Sequence, residues 1–405
     1  MRRYTRFFMF TMVGLLFLTM YLAMIIYSKS ESWFRQGSLN HDLLPKEAEL
    51  TEAQTRDILR QIESTNNERI QRVEEVCRRY NLGIFKTSLE KTLEHPPVPQ
   101  YSVFYFDRED KLSFCPIYKA GSTTWLYNLC LLAGMTDEEI ARSNQQLSTL
   151  ARARHPRLDP TDAEQAFQTT IKLLAVRHPF ERLLSAYRDK LENTNEGLEH
   201  GSLHFYASFG SKIVRKYRKN GNLTKTWDLL KDSQYMWNPQ HKKPAGVEPT
   251  FREFILYLIN LNLAHYADDH WIPYYLFCTP CLLRYDVIAK VETMDADQLY
   301  VIRVLGLQDR IKPRWRHKTQ FLQGKYSKLK QMFNAGFLHI LLKVVVIFLG
   351  NSSLNEVSHL AKIYFSQLTV KEILQLYEKY KIDFELFGYD HTQYLRYASD
   401  YSSKI

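Results

Sequence analysis

The sequence predicts an α/β protein, a parallel sheet flanked by helices, set behind an N-terminal transmembrane helix and a helical stem. Two observations carry this. From Tyr101 onward short apolar runs alternate with helical stretches, which argues for parallel strands joined by crossover helices. Ahead of them, Phe7 to Tyr27 runs for 21 residues without a charge, about the length a helix needs to cross a bilayer.

Taken in order, residues 1–6 read as a cytoplasmic tail, because Arg2, Arg3 and Arg6 precede the apolar run while Lys29, Glu31 and Arg35 follow it with mixed sign. Residues 7–27 read as a single-pass signal-anchor; a cleaved signal peptide is the competing reading, with a shorter apolar core and a small-residue cleavage site. Residues 28–97 read as a stem, helical where Leu50, Ile58, Leu59, Ile62, Ile70, Val73 and Val76 recur at spacings near three and four. The prolines of His95-Pro96-Pro97-Val98-Pro99 break any helix and set the boundary to a globular domain over 98–405. Within it, strands are expected over Lys111–Ile117, Thr169–Val176 and Val287–Val291, and helices over Thr123–Ala133, Phe180–Leu191 and from Asp295. The apolar stretch Gly336–Gly350 is interrupted by His339 and Lys343 and is too short for a second span; it reads as a buried helix or strand, or as an insert.

With 45% hydrophobic and 24% charged residues the chain is neither collagen, disordered tail nor multi-span membrane protein. Fifty-four Lys and Arg against 44 Asp and Glu leave a net charge of +10, which suits an anionic partner. Five cysteines are too few for a disulfide-built scaffold. Cys278-Thr279-Pro280-Cys281 reads as a tight disulfide; a zinc site would have to recruit His265 and His270. The sequons at Asn222 and Asn351 fit a lumenal chain.

Two segments carry chemistry. Tyr118, Lys119, Ala120, Gly121, Ser122, Thr123 and Thr124 lie between a strand and a helix: small residues admit an anion close to the backbone, helix-start amides point at it, and Lys119 adds charge. No Walker A motif is present, since the lysine precedes the glycine. In the second segment, Arg177, His178, Pro179, Phe180, Glu181, Arg182, Leu183, Leu184 and Ser185, a strand delivers Arg177 to its end, Pro179 suits a first helical turn, and Ser185 lies two turns in. Arg182 and Arg188 read as facing solvent, and His178 as a positioning residue. Two anion-suited loops in one α/β domain point to a ligand with two phosphate groups.

Together these segments resemble the phosphosulfate and 3'-phosphate loops of the Golgi carbohydrate sulfotransferases, in particular the group of the chondroitin 4-O-sulfotransferases and the HNK-1 sulfotransferase. The resemblance continues through Asp269–Thr293, Tyr364–Leu368 and Asp383–Tyr389, so it runs over roughly residues 100 to 390. One departure is Tyr118, where that family usually has proline. The resemblance implies a P-loop-like sulfotransferase fold and 3'-phosphoadenosine 5'-phosphosulfate (PAPS) as co-substrate, with no metal. In that scheme Tyr118–Thr124 hold the phosphosulfate end and Arg177–Ser185 the 3'-phosphate end. Lys119 is then the catalytic cation, and His270 the general base with Asp269 as its orienter; capping a helix or packing on Trp271 is the competing role for His270. The acceptor implied is a glycosaminoglycan or glycoprotein glycan, foremost the 4-hydroxyl of GalNAc in chondroitin or dermatan, and alternatively the glucuronic acid of an HNK-1-type glycan. A silent glycosaminoglycan-binding membrane protein is the reading from another class. Basic candidates for acceptor contact are Arg215, Lys216, Arg218, Lys219, Lys242 and Lys243. Nucleic acid is not an expected partner, the compartment implied is the Golgi lumen, and the oligomeric state is not legible.

Overall fold

The computed structural model describes residues 52–87, 94–143, 145–192, 202–218, 248–314 and 360–401. The expected membrane helix, both sequons, the apolar 336–350 stretch, Lys219, Lys242 and Lys243 lie outside these. No helix among the described residues is long and apolar enough to cross a membrane.

Four strands form one sheet in the order β1-β2-β3-β4: β1 (Tyr105–Asp107), β2 (Leu112–Cys115), β3 (Ile171–Val176) and β4 (Val287–Lys290). Strands β2, β3 and β4 are parallel, with Phe114 opposite Leu173 and Leu174 opposite Ile288, inside the spans expected from sequence. The sheet is not wholly parallel as expected, because three-residue β1 turns back on β2 through a short connection that only antiparallel strands permit.

Alternation along the strands sorts the core. Leu112, Phe114, Leu173, Ala175, Val287 and Ala289 face one side, against Trp125 and Leu129 of α2 (Ser122–Leu132) and Met294 and Val301 of α6 (Met294–Val304). Cys115, Leu174, Val176 and Ile288 face the other, against Val76 of α1 (Glu52–Arg79), Tyr274 and Phe277 of α5 (Tyr274–Phe277), and Ile382 and Leu386 of α7 (Val370–Phe387). Both faces are covered, as parallel strands require. A further cluster joins α7 to α3 (Pro179–Lys190) and α4 (Phe251–Asn260) around Trp271.

Helix α1 was expected as part of a spacer, yet it belongs to the same compact unit as the sheet. Asn66 donates from Nδ2 to the Asp286 carbonyl at 2.8 Å and accepts the Ile288 amide at 2.9 Å, while Arg69 reaches the Ile288 carbonyl at 2.7 Å. These side chains satisfy the open edge of β4, whose backbone groups would otherwise lack partners.

The disulfides differ from the expected Cys278–Cys281 pair. Cys77 of α1 bonds Cys281, and Cys115 at the end of β2 bonds Cys278. Cys278 ends α5, and Thr279 then takes a positive φ of 47°, so the two cysteines serve different neighbours. All four are thereby unavailable to zinc, Cys130 is free and buried, and among the described residues no metal-binding cluster of His, Cys, Asp and Glu occurs.

Candidate active site

The ends of β2 and β3 lie side by side and open into the two loops picked out from sequence, the place where open α/β sheets bind ligands. Lys119 and Gly121 both adopt left-handed backbone, φ 68° and 80°. For lysine this is a costly conformation, of the kind concentrated at functional sites. Gly121 has a second constraint, since a Cβ there would stand 2.6 Å from Cε of Met294. Helix α2 starts directly after Gly121 with no side-chain cap, and α3 starts after His178 in the same way with Pro179 in its first turn. By contrast, the helices beginning at Asp137, Phe251 and Val370 carry full capping boxes from Thr136, Thr250 and Thr369. Uncapped first-turn amides at both loops are donors for an anion.

Lys119 Nζ lies 3.1 Å from Oδ2 of Asp189, near the end of α3, and Lys190 Nζ reaches the same oxygen at 3.3 Å. Burial pushes the Lys119 amine below its ordinary value, with Lys190 and Arg177 acting in the same sense and Asp189 holding it up. Ser185 is half-buried one helical turn before Asp189, so its hydroxyl shares the face whose carboxylate meets Lys119. Arg177 stands 3.7 Å from Glu181, whose acid is raised by burial, opposed by Arg177 and by a 2.7 Å bond from the Tyr394 hydroxyl.

The turn between β3 and α3 is held from two sides. The Tyr274 hydroxyl accepts the Arg177 amide at 2.9 Å and donates to the Arg177 carbonyl, and the His178 amide donates to Glu292. Glu292 in turn accepts the Tyr389 hydroxyl at 2.8 Å. His178 is buried, its Nε2 at 2.9 Å from the Asp390 carbonyl, and burial lowers its titration to about 4. It therefore positions the turn as a neutral side chain. The side chains of Phe180, Leu183 and Leu184 are buried in the core beside α4 and α7, so these residues offer a ligand no side-chain contact.

His270 stacks on Tyr118, rings 4.5 Å apart and 8° from parallel, with the edge of Phe205 at 5.1 Å. Its orienter is Asp268, not the expected Asp269. Oδ1 of Asp268 accepts the His270 amide at 2.9 Å and meets Nδ1 at 2.6 Å, an Asx-type turn that only the residue two positions back can make. Burial lowers the His270 titration, Asp268 opposes the shift, and the charges of Lys190 and Lys119 add to it. The lowered titration favours the unprotonated imidazole, the form a general base needs.

Arg182 corrects a second expectation. It is 1% exposed rather than at the surface, and its guanidinium is taken up by backbone carbonyls. Arg218, held as a candidate for acceptor contact, is paired with Glu253 at 2.9 Å. Asp189, Asp268 and Glu292 were given no role from sequence. A signal existed for Asp189, which follows Arg182 and Ser185 at helical spacing on one face of α3.

The residues fit the phosphosulfate nucleotide: two adjacent cationic loops, each with a glycine or proline start to an uncapped helix, answer two anionic ends. Such a nucleotide would supply a sulfuryl group, with negative charge developing on its leaving oxygen. The Lys119 ammonium is the side chain suited to meet that charge, and His270 Nε2 is the atom suited to take the acceptor proton while Asp268 holds Nδ1.

Known proteins similar to this chain include carbohydrate sulfotransferases. The chain is 26% identical over 296 residues to carbohydrate sulfotransferase 11 of Rattus norvegicus, covering 72% of this chain and 68% of the relative. It is 26% identical over 334 residues to carbohydrate sulfotransferase 10 of Homo sapiens (81% and 76%), and 28% identical over 249 residues to carbohydrate sulfotransferase 8 of Mus musculus (60% and 51%). No solved structure matches. A sulfotransferase family model matches residues 102–390, the stretch that holds every loop described above, and the chain belongs to that family.

Proposed function

We propose that the chain transfers a sulfuryl group from PAPS to the 4-hydroxyl of GalNAc in chondroitin or dermatan. The observation that carries the reaction is the placement of the Lys119 loop against both other segments: the ring of Tyr118, next to Lys119, stacks on His270 at 4.5 Å, and Lys119 Nζ lies 3.1 Å from Asp189 on the helix that follows Arg177. The net charge of +10 and the similarity to carbohydrate sulfotransferase 11 support an anionic glycan acceptor. The two disulfides support an oxidising compartment, in keeping with a type II anchor over residues 7–27 and a lumenal catalytic domain in the Golgi.

The test is transfer of radiolabelled sulfate from PAPS to desulfated chondroitin, dermatan and a glucuronic-acid-terminated glycan. The full chain is used, since Cys77 is bonded to Cys281 and a fragment beginning near residue 95 would lose that link. Label in chondroitin or dermatan that Lys119→Ala abolishes, found on GalNAc O4 by disaccharide analysis, is the expected result. Label in the glucuronic acid glycan alone would keep the class and replace the acceptor. Failure to bind 3'-phosphoadenosine 5'-phosphate would favour a silent glycan-binding protein.

A further inference from the structure

We propose that Arg182 is a positioning residue that locks the loop carrying Lys119 to the segment carrying His270, so that cation and base keep one fixed separation. The inference rests on the sulfuryl-transfer reading for its catalytic consequence, though not for its geometry.

Arg182 leaves α3 toward the interior and is among the largest fully buried side chains. Nε donates to the Tyr118 carbonyl at 2.9 Å, Nη1 to the Ile272 carbonyl at 2.6 Å and Nη2 to the Asp269 carbonyl at 3.1 Å. Tyr118 immediately precedes Lys119, while Asp269 and Ile272 bracket His270. One planar group thus bonds both segments at once, and the Tyr274 ring lies 4.9 Å from its Cζ.

Burying a guanidinium is expensive unless its donors are satisfied. Here each of the three nitrogens donates to a backbone carbonyl. The same two segments touch a second time where the Tyr118 ring stacks on His270. Lysine cannot replace the arrangement, because one ammonium lacks a planar fork reaching three separate carbonyls. Lost alignment of about 1 Å between reacting groups costs on the order of 10²-fold in rate, without any loss of bound ligand.

The experiment compares the full-length chain with Arg182→Lys and Arg182→Met. Expected for both is a kcat lower by about 10- to 100-fold, with affinity for 3'-phosphoadenosine 5'-phosphate within roughly 3-fold of wild type. In a His270→Ala background, Arg182→Lys should cost far less than alone, because a base that is absent cannot be misaligned. A folded variant with kcat within about 3-fold of wild type overturns the proposal, as does nucleotide affinity lost together with kcat, which would make Arg182 a direct phosphate ligand. Amide hydrogen exchange reads the lock without activity: Arg182→Lys should speed exchange in 118–124 and 269–273 together, and a change in only one segment refutes it. Should the variants not fold, wild type decides, since nucleotide binding should slow exchange in both segments, and protection confined to 118–124 counts against the lock. Wild type that binds the nucleotide but transfers to no acceptor argues against the proposed acceptor alone, and the exchange result still stands.

Discussion

Lys119 and Asp189 are 70 residues apart in sequence and 3.1 Å apart in space, the amine of one loop set against a carboxylate on the helix that follows the other. Asp189 offsets part of what burial takes from the lysine, and so keeps a cation at the junction of the two loops.

Lys119→Ala is expected to lower kcat by on the order of 10²- to 10³-fold. Asp189→Asn removes the group that raises the lysine's titration, so the alkaline limb of the kcat profile should move to lower pH. A pH–rate profile in which that limb stays in place would show that Asp189 does not act on Lys119.

His270→Ala is expected to lower kcat by about 10²- to 10⁴-fold. Asp268 raises the His270 titration, so Asp268→Asn should shift the acid limb further down while reducing kcat near neutrality by about 10-fold or more through lost orientation. Asp269→Asn, whose carboxylate makes no bond to the imidazole, should leave the limb where it is. Equal shifts in the two variants would contradict the assignment of Asp268.

Stability should carry two opposed pH dependences. An unfolded histidine titrates near 6.5 and an unfolded aspartate near 3.9. Folded His178 titrates at about 4, so on acidification from about 6.5 the unfolded state takes up a proton first and stability is lost. Asp383 is fully buried and accepts the Tyr274 and Tyr275 amides at 2.7 and 3.1 Å, yet burial raises it to about 7. As pH rises from about 3.9 to about 7 the unfolded state loses a proton that the folded state keeps, and stability again falls, in the opposite direction. Urea midpoints should therefore drop on acidification in Asp383→Asn, where His178 acts unopposed, and drop on alkalinisation in His178→Asn.

Removing residues 1–94 should unfold or aggregate the remainder, since it deletes the Asn66 and Arg69 side chains that cover β4 and the Cys77–Cys281 bond. Cys77→Ser alone should cost about 2–5 kcal/mol, measured by denaturant melts against the wild-type chain. A fragment from residue 95 with wild-type stability would show that α1 is only a spacer.

The strands β2, β3 and β4, the helices that follow them, and the loops at Lys119 and Arg177 were legible from sequence because neighbouring residues encode them. Alternation of apolar residues marks a strand, Pro179 suits a first helical turn, and Gly121 tolerates the left-handed backbone that starts α2. Family resemblance added the reaction, since phosphate loops alone do not name a substrate.

Pairings were decided only by the tertiary structure. Cys278 and Cys281 are near neighbours in sequence, yet they bond residues 163 and 204 positions away. Arg182 looks like any charged helix residue until its three carbonyl partners are seen to come from two distant segments. Asp268 and Asp269 are chemically identical, yet the Asp268 carboxylate takes the imidazole while Asp269 meets Arg182 through its backbone carbonyl. Sequence determined which groups the chain carries and which local turns they favour. Which group meets which is set by the long-range docking of α1, α3 and α5 on the sheet, where burial penalises every polar atom left without a partner.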